Sequence, residues 1–236
     1  MRSFFDAKSM AKALRDGLAA HDIQFSHGQC LELVAKQFGL KDWNTLAAQI
    51  ATALPDTGAL RLPRGWFVTR QTDKRFYRAG LDPAKPGVAL VECRLPRGGI
   101  VDLGDSQFAS LMQSIVADPY RGSRVKLSAS LSTEDADSGS IWLRVDAAPG
   151  RVLQFDNMQE REQDGALVGS RPWVERSVIL DVPHEATTLH YGLLLMGHGR
   201  VRARGFRLTS VGKDVKPTAG DRTLAHPLNL DFAEVT

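Results

Sequence analysis

The sequence predicts an α+β protein in two parts, a small three-helix module followed by an antiparallel β-sandwich. Three observations predict it. Apolar residues recur at helical spacing up to about residue 52. Beyond Gly65 that period is lost, and short apolar runs alternate with turn signals at close intervals. Between Ser140 and Arg161, two such runs flank Ala148-Pro149-Gly150, a turn in which Pro presets φ and Gly accepts a positive one. In the first run Ile141, Leu143 and Val145 alternate with Trp142, Arg144 and Asp146. That is the period of a strand with one buried face, and it leaves the second face available for binding.

The helices follow in order. Ser3 is placed to cap a first helix in which Met10, Ala11, Leu14 and Leu18 share a face, ending at His21-Asp22. Ser26 caps a second, with Cys30, Leu31, Val34, Ala35 and Phe38 inward and Gly39 as its stop. Asp42 caps a third, Trp43 to Ala51, with Trp43, Leu46, Ala47 and Ile50 inward. A helix-turn-helix cadence is present, but the would-be recognition helix from Lys41 carries one cation and an acid in its first turn. DNA-reading helices present Arg, Lys, Asn and Gln instead.

The expected organisation is a helical module over 1–52, a Pro- and Gly-containing linker over 53–64, and the sandwich over 65–236. Strands are expected at 66–68, 77–81, 88–94, 108–115, 124–132, 141–145, 151–157, 174–182, 189–196 and 200–211. Turns are expected at Asp82-Pro83, 96–99, Arg121-Gly122, Asp137-Ser138-Gly139 and Gly197-His198-Gly199, with a long polar loop from Glu162 to Arg171. Near the C-terminus Gly212 to Thr223 reads as irregular. Leu228, Leu230 and Phe232 alternate with polar residues and predict a segment that returns to the sandwich.

With 43% apolar and 24% charged residues, the composition is that of an ordinary globular protein. A net charge of +3 is too small to argue for a nucleic-acid or membrane partner. Two cysteines, no zinc-type spacing, charges early in the N-terminus and no apolar run of membrane-spanning length predict a reduced, cytoplasmic protein without a cofactor.

Two stretches resemble known families. The AK-x-MAK-x-LR opening, SH-x-x-x-LELVA and DWNTLAA, within residues 7–50, resemble the glyoxalase-related protein domain, a helical module that implies little chemistry by itself. Of possible metal ligands there, His27 and Glu32 lie about 140° apart around one helix, too far to chelate one ion, and Glu32 reads as a solvated acid. The second stretch, about 64–231, carries GWF, YRAGLDP, LMQSI, YRGSRVKLSA, IWLRVD, FDNMQER, VILDVP, YGLLLMGHG and PLNLDF in order. It resembles the jelly-roll, carbohydrate-binding-module-like domain found C-terminal in some AraC-type transcription regulators. The resemblance implies a β-sandwich that binds a sugar or other small ligand on one face.

Sugar recognition needs an aromatic ring to stack on and planar polar groups for hydroxyl pairs. The candidates are Trp142, Arg144 and Asp146 on the outer face, with Gln113 and His190 if register allows. Asp156, Asn157, Gln159 and Arg161 join them at a strand end. The structural alternatives are a Trp142 buried between the sheets, an Arg144–Asp156 pair and an Asx-turn at Asp156-Asn157. No nucleophile motif or phosphate loop is present, and arginines beside Asp146 and Asp156 would keep both acids ionised, so no catalytic residues are expected. Asp135 with Asp137 is a candidate calcium pair. The expected role is non-catalytic ligand binding or regulation; the alternatives are an adaptor whose helices recruit a protein partner and a divergent glyoxalase-related enzyme.

Overall fold

The computed structural model describes residues 7–53, 58–97, 103 and 107–218, and of 51–53 the backbone alone. The segments Ser3 and Leu228–Phe232, and part of the turn expected at 96–99, lie outside the described residues. Helix α1 spans Ala7–Ala19, α2 His27–Gln37 and α3 Trp43–Ala53. Ser26 and Gln29 form a reciprocal capping box at the start of α2. Its end is a Schellman motif: Gly39 takes φ 73°, its N–H reaches the Lys36 carbonyl at 2.9 Å, and the Leu40 N–H reaches the Ala35 carbonyl at 3.0 Å. Asp42 caps α3 by accepting from the Thr45 N–H at 2.7 Å. Glu32 is not the solvated acid expected, because its carboxylate accepts the free Trp43 N–H of the same helix start at 3.0 Å. Ala11, Cys30, Val34, Ala35 and Leu46 are fully buried in the module.

Among the described residues nine antiparallel strands make the sandwich: β1 Phe67–Val68, β2 Tyr77–Leu81, β3 Ala89–Cys93, β4 Phe108–Val116, β5 Arg124–Ala148, β6 Arg151–Asp156, β7 Leu167–Asp181, β8 Thr188–Met196 and β9 Arg200–Val211. Strand β5 organises the rest. Its first half lies between β7 and β9, with β3 and β2 beyond β9; its second half lies between β8 and β6, with β4 and β1 beyond β8. One strand thereby belongs to both sheets. The expected turn at Asp137-Ser138-Gly139 is therefore not a turn. The chain stays extended, and successive register shifts between Leu131 and Gly139 absorb the bend. Gly139 is required there because a Cβ would stand 2.8 Å from Thr133 and 2.9 Å from Val201. The loop expected at 162–171 also ends early, since β7 begins at Leu167.

Leu143, Ile141 and Val145 of β5 meet Leu111 of β4, Leu189, Leu193 and Leu195 of β8, and Leu127, Leu131 and Val201 across the sandwich, all fully buried. The two outer faces differ. On the β2–β3–β9–β5 side, Arg78, Glu92, Arg200 and Glu134 form a cross-strand ladder of alternating charge. On the β4–β8–β5 side the outer positions instead hold an apolar cluster, Met112, Trp142 and Leu194 with Phe108 and Met196, and this asymmetry locates the candidate site.

The irregular segment after β9 is tied down. The Arg124 guanidinium reaches the Lys213 and Val215 carbonyls, and the Thr218 N–H donates to the Ile179 carbonyl at 2.9 Å.

Candidate functional site

Register builds the site in rows. Reading from β4 across β8 to β5, Phe108 aligns with Met196 and Ser138, Ser110 with Leu194 and Ser140, Met112 with Gly192 and Trp142, and Ser114 with His190 and Arg144. The Arg144 row continues onto β6 at Phe155. All these side chains share the outer face, by the two-residue period of each strand.

Trp142 is the floor. It is 7% exposed and packs with Met112 and Leu194, flanked by Phe108 and Met196, in a cluster separate from the main core. Its Nε1–H donates to Ser110 Oγ at 2.9 Å, so the indole reaches over β8 to β4. Gly192, opposite it in register, makes this possible. The strands approach so closely there that a Cβ would lie 2.4 Å from the Leu111 carbonyl oxygen, and no side chain competes for the space the indole crosses. Ser110 Oγ passes its own proton to the Leu193 carbonyl at 3.0 Å, and the Ser110 N–H donates to Thr72 Oγ1 at 3.1 Å. The indole N–H and the Ser110 hydroxyl and amide are thus all partnered. Both sequence readings of Trp142 need correction: it lies on the outer face, yet it is buried rather than free to stack.

Above this floor lies a groove of about 560 Å³ lined by Trp142, Met112, Phe108, Phe155, Arg144 and Asn157, with Thr69 and Gln71 on one rim. Phe155 is 48% exposed and stands edge-on to Trp142 with ring centroids 6.4 Å apart. Phe155 is the most exposed ring lining the groove among the described residues, and a ligand can stack on it.

At the polar end, Arg144 Nη2 donates to Asp146 Oδ2 at 2.8 Å; the acid side chain is 3% exposed and the arginine 37%. His190 Nε2 faces the same oxygen at 3.4 Å, while its Nδ1 shares a 2.7 Å hydrogen bond with Ser114 Oγ. Burial, and then the Arg144 charge, push the His190 imidazole below its ordinary value, with Asp146 pulling the other way. A neutral ring with its proton on Nε2 satisfies both neighbours.

The remaining expected residues divide. Asn157 lines the groove, its Oδ1 accepting the Gln159 N–H at 3.1 Å. Gln159 bridges the hydroxyls of Ser138 and Ser140 beside the floor. Gln113 is on the wrong face: it pairs with Tyr191, whose hydroxyl donates to its Oε1, and its amide donates to the Gly65 carbonyl at 3.3 Å. Asp156 and Arg161 form a buried clamp outside the groove. Arg161 holds Asp156 Oδ2 through Nε and Nη2 and reaches the Ser177 carbonyl at 2.9 Å, while the Met158 N–H donates to Asp156 Oδ1 in an Asx-turn. Asp156 sits opposite Leu143 in register, on the core side, so the alternative Arg144–Asp156 pair does not form.

The calcium pair is also accounted for. The Arg97 guanidinium donates to Asp135 Oδ2 at 2.8 Å and Asp137 Oδ1 at 2.7 Å, taking the place between the acids that a cation would need. Against the cost of burial, the His198 amide and Arg97 hold the Asp137 carboxyl below its ordinary range. Among the described residues no three His, Cys, Asp or Glu side chains are placed to hold a metal ion, and no helix is long and apolar enough to cross a membrane.

The sequence reading missed Phe108, Met112, Phe155, Leu194 and Met196. A signal was present in FASLM and GLLLM, which are apolar on both strand faces, as a strand must be when its second face is also covered.

Comparison with known proteins adds the following. Residues 1–72 match the family model described as a glyoxalase superfamily protein, so the helices are the module that their sequence resembles. An HTH-type transcriptional regulator of Bacillus subtilis (strain 168), YbfP, is 31% identical over 175 residues, 72% of this chain and 57% of the relative. This chain therefore spans little more than half of that protein's length, and an alignment so long takes in the greater part of the sandwich region. Among solved structures, the CBM22-1 xylan-binding domain of Paenibacillus barcinonensis Xyn10C superposes with TM-score 0.41 at 12% identity, covering 64% of this chain and 88% of that one. A xylan-binding domain from CBM 22 gives 0.42 at 14%, covering 66% and 97%. The active domain of bacteriophage CBA120 tailspike protein 4 gives 0.41 at 12%, covering 63% and 20%.

Proposed function

We propose that the sandwich recognises a small ligand, a sugar ring being the class its groove suits, and that the chain acts by binding rather than by turnover. One observation carries this reading. The outer face of a sheet, where solvated side chains are expected, holds instead an aromatic-floored groove with an exposed ring and a few polar groups at its margins. Its volume of about 560 Å³ falls in the range of small-molecule sites. Phe155 supplies the stacking surface, Trp142 and Met112 the apolar floor, and Arg144 and Asn157 the orienting hydrogen bonds. Asp146, itself faced by His190, holds Arg144, and Gln159 fixes the strand beside Asn157. Glycan-array screening followed by calorimetry on the best ligand tests this. Phe155→Ala is expected to weaken binding at least tenfold, with Asn157→Ala weaker in effect; wild-type affinity in both variants would refute the assignment.

The similarity to a transcriptional regulator favours a second reading, in which the sandwich senses the ligand and the helices recruit a protein partner in the cytoplasm. Free Cys30 and Cys93 are compatible with that compartment. Under this reading the chain does not grip DNA directly, since charge and helix composition are unsuited to it. Titration with duplex DNA at physiological salt is expected to show no complex. A salt-resistant, sequence-specific complex would overturn that expectation.

A further inference from the structure

The groove's hydrogen-bonding capacity is weighted towards donors, with the Gln71 amide on the rim able to give and to accept. Ser110 Oγ is occupied both as acceptor and as donor, by Trp142 and the Leu193 carbonyl. Thr69 Oγ1 is engaged with Thr72 at 2.9 Å. The Asn157 oxygen already accepts one hydrogen bond, from the Gln159 N–H, and its amide protons are left for a ligand. Arg144 is the one charged side chain among the described residues lining the groove. A guanidinium has five N–H donors and no acceptor, and Arg144 has spent one of them, on Asp146. Its Nε is buried without a partner, so the protons left for a ligand are those of Nη1 and the second of Nη2.

The charge is arranged in depth as well. Asp146 lies beneath the surface at 3% side-chain exposure, with His190 Nε2 facing the oxygen that Arg144 holds. Arg144 lies above it, 37% exposed and turned to the groove. The buried acid positions the guanidinium, and the positive end of the pair faces the ligand. Neutral sugars carry hydroxyls, which need acceptors as well as donors, and no carboxylate lines this groove among the described residues.

Resting on the ligand-binding reading above, we infer that the ligand carries a carboxylate, which docks on Arg144 while an apolar ring face lies on Phe155 and the Trp142 floor. A planar carboxylate suits the guanidinium fork, and such contacts are stronger than those to neutral acceptors. Two sources share this chemistry, an acidic sugar and an aryl or alkyl carboxylate.

The test uses matched pairs on the full chain. Tri-galacturonate is compared with its methyl ester, and phenylacetate with phenylacetamide, by calorimetry. At least one acid is expected to bind about tenfold or more tightly than its uncharged partner, and which pair does so identifies the source. Raised salt should weaken the acid and leave the uncharged partner unchanged. Arg144→Gln should remove the gap, whereas Phe155→Ala should weaken both members alike. Equal affinity for acid and uncharged partner in the wild type would overturn the carboxylate assignment and leave the groove reading intact. Failure of all four probes to bind, or binding that Phe155→Ala does not change, would overturn both.

Discussion

Replacing Trp142 by alanine removes the floor of the groove, and the cost follows from its surroundings. The indole is 7% exposed and its closest companions, Met112 and Leu194, are themselves buried. Collapse into the space is limited, because Gly192 has no side chain to move and the β4 and β8 backbones already approach closely. Deletions of buried aromatics cost about 3–5 kcal/mol in such settings. The lost Nε1–H bond contributes little, since Ser110 Oγ keeps its bond to the Leu193 carbonyl. Trp142→Phe, which retains most of the apolar area, should therefore cost only about 0.5–1.5 kcal/mol. For a domain of this size the alanine variant should melt about 6–20 °C lower than wild type. Differential scanning calorimetry and urea unfolding measure both variants. An alanine variant within about 1 kcal/mol of wild type would show that the indole is not the packed floor described.

Other expectations follow from the same structure. Arg161→Ala should destabilise the sandwich by about 3–5 kcal/mol, because it strands a buried Asp156 carboxylate; pairing it with Asp156→Asn should recover part of the loss in denaturant titrations. Added calcium should leave the melting temperature unchanged, since Arg97 already sits between Asp135 and Asp137; a calcium-dependent rise of several degrees would contradict that arrangement. The His190 imidazole is held below its ordinary value in the folded state, so the unfolded chain takes up its proton first as pH falls. Stability from this group is constant above that value and is lost as pH drops below it, and His190→Gln should flatten the slope of melting temperature in that range.

The sequence makes some of this architecture plain and hides other parts for identifiable reasons. The capping residues Ser26 and Asp42 and the stop at Gly39 are local signals, and each does in the structure what its chemistry dictates. Strands β2 and β9 begin and end where their alternation does. The bend inside β5 could not be read, because Asp-Ser-Gly is a turn signal and the chain is kept extended there by its pairing with Leu195 and Met196 of β8, a long-range contact. Of the site, Trp142, Arg144 and Asp146 are placed on one face by period alone. Gln113 and Asp156 are misassigned because facing across strands depends on register, which one-residue offsets invert. The partners of Glu32 and Arg97, respectively 11 and 38 residues away, are tertiary contacts with no local sequence mark.

The central claim is that ligand enters the groove above Trp142, and the indole N–H resonances test it most directly. The chain has four tryptophans, so four such signals are expected, and Trp142→Phe identifies one by its loss. Titrating the best-binding ligand into labelled protein, followed by ¹⁵N correlation spectra, should shift the Trp142 signal while those of Trp43, Trp66 and Trp173 stay in place. Saturable binding that leaves the Trp142 signal unmoved would contradict the account.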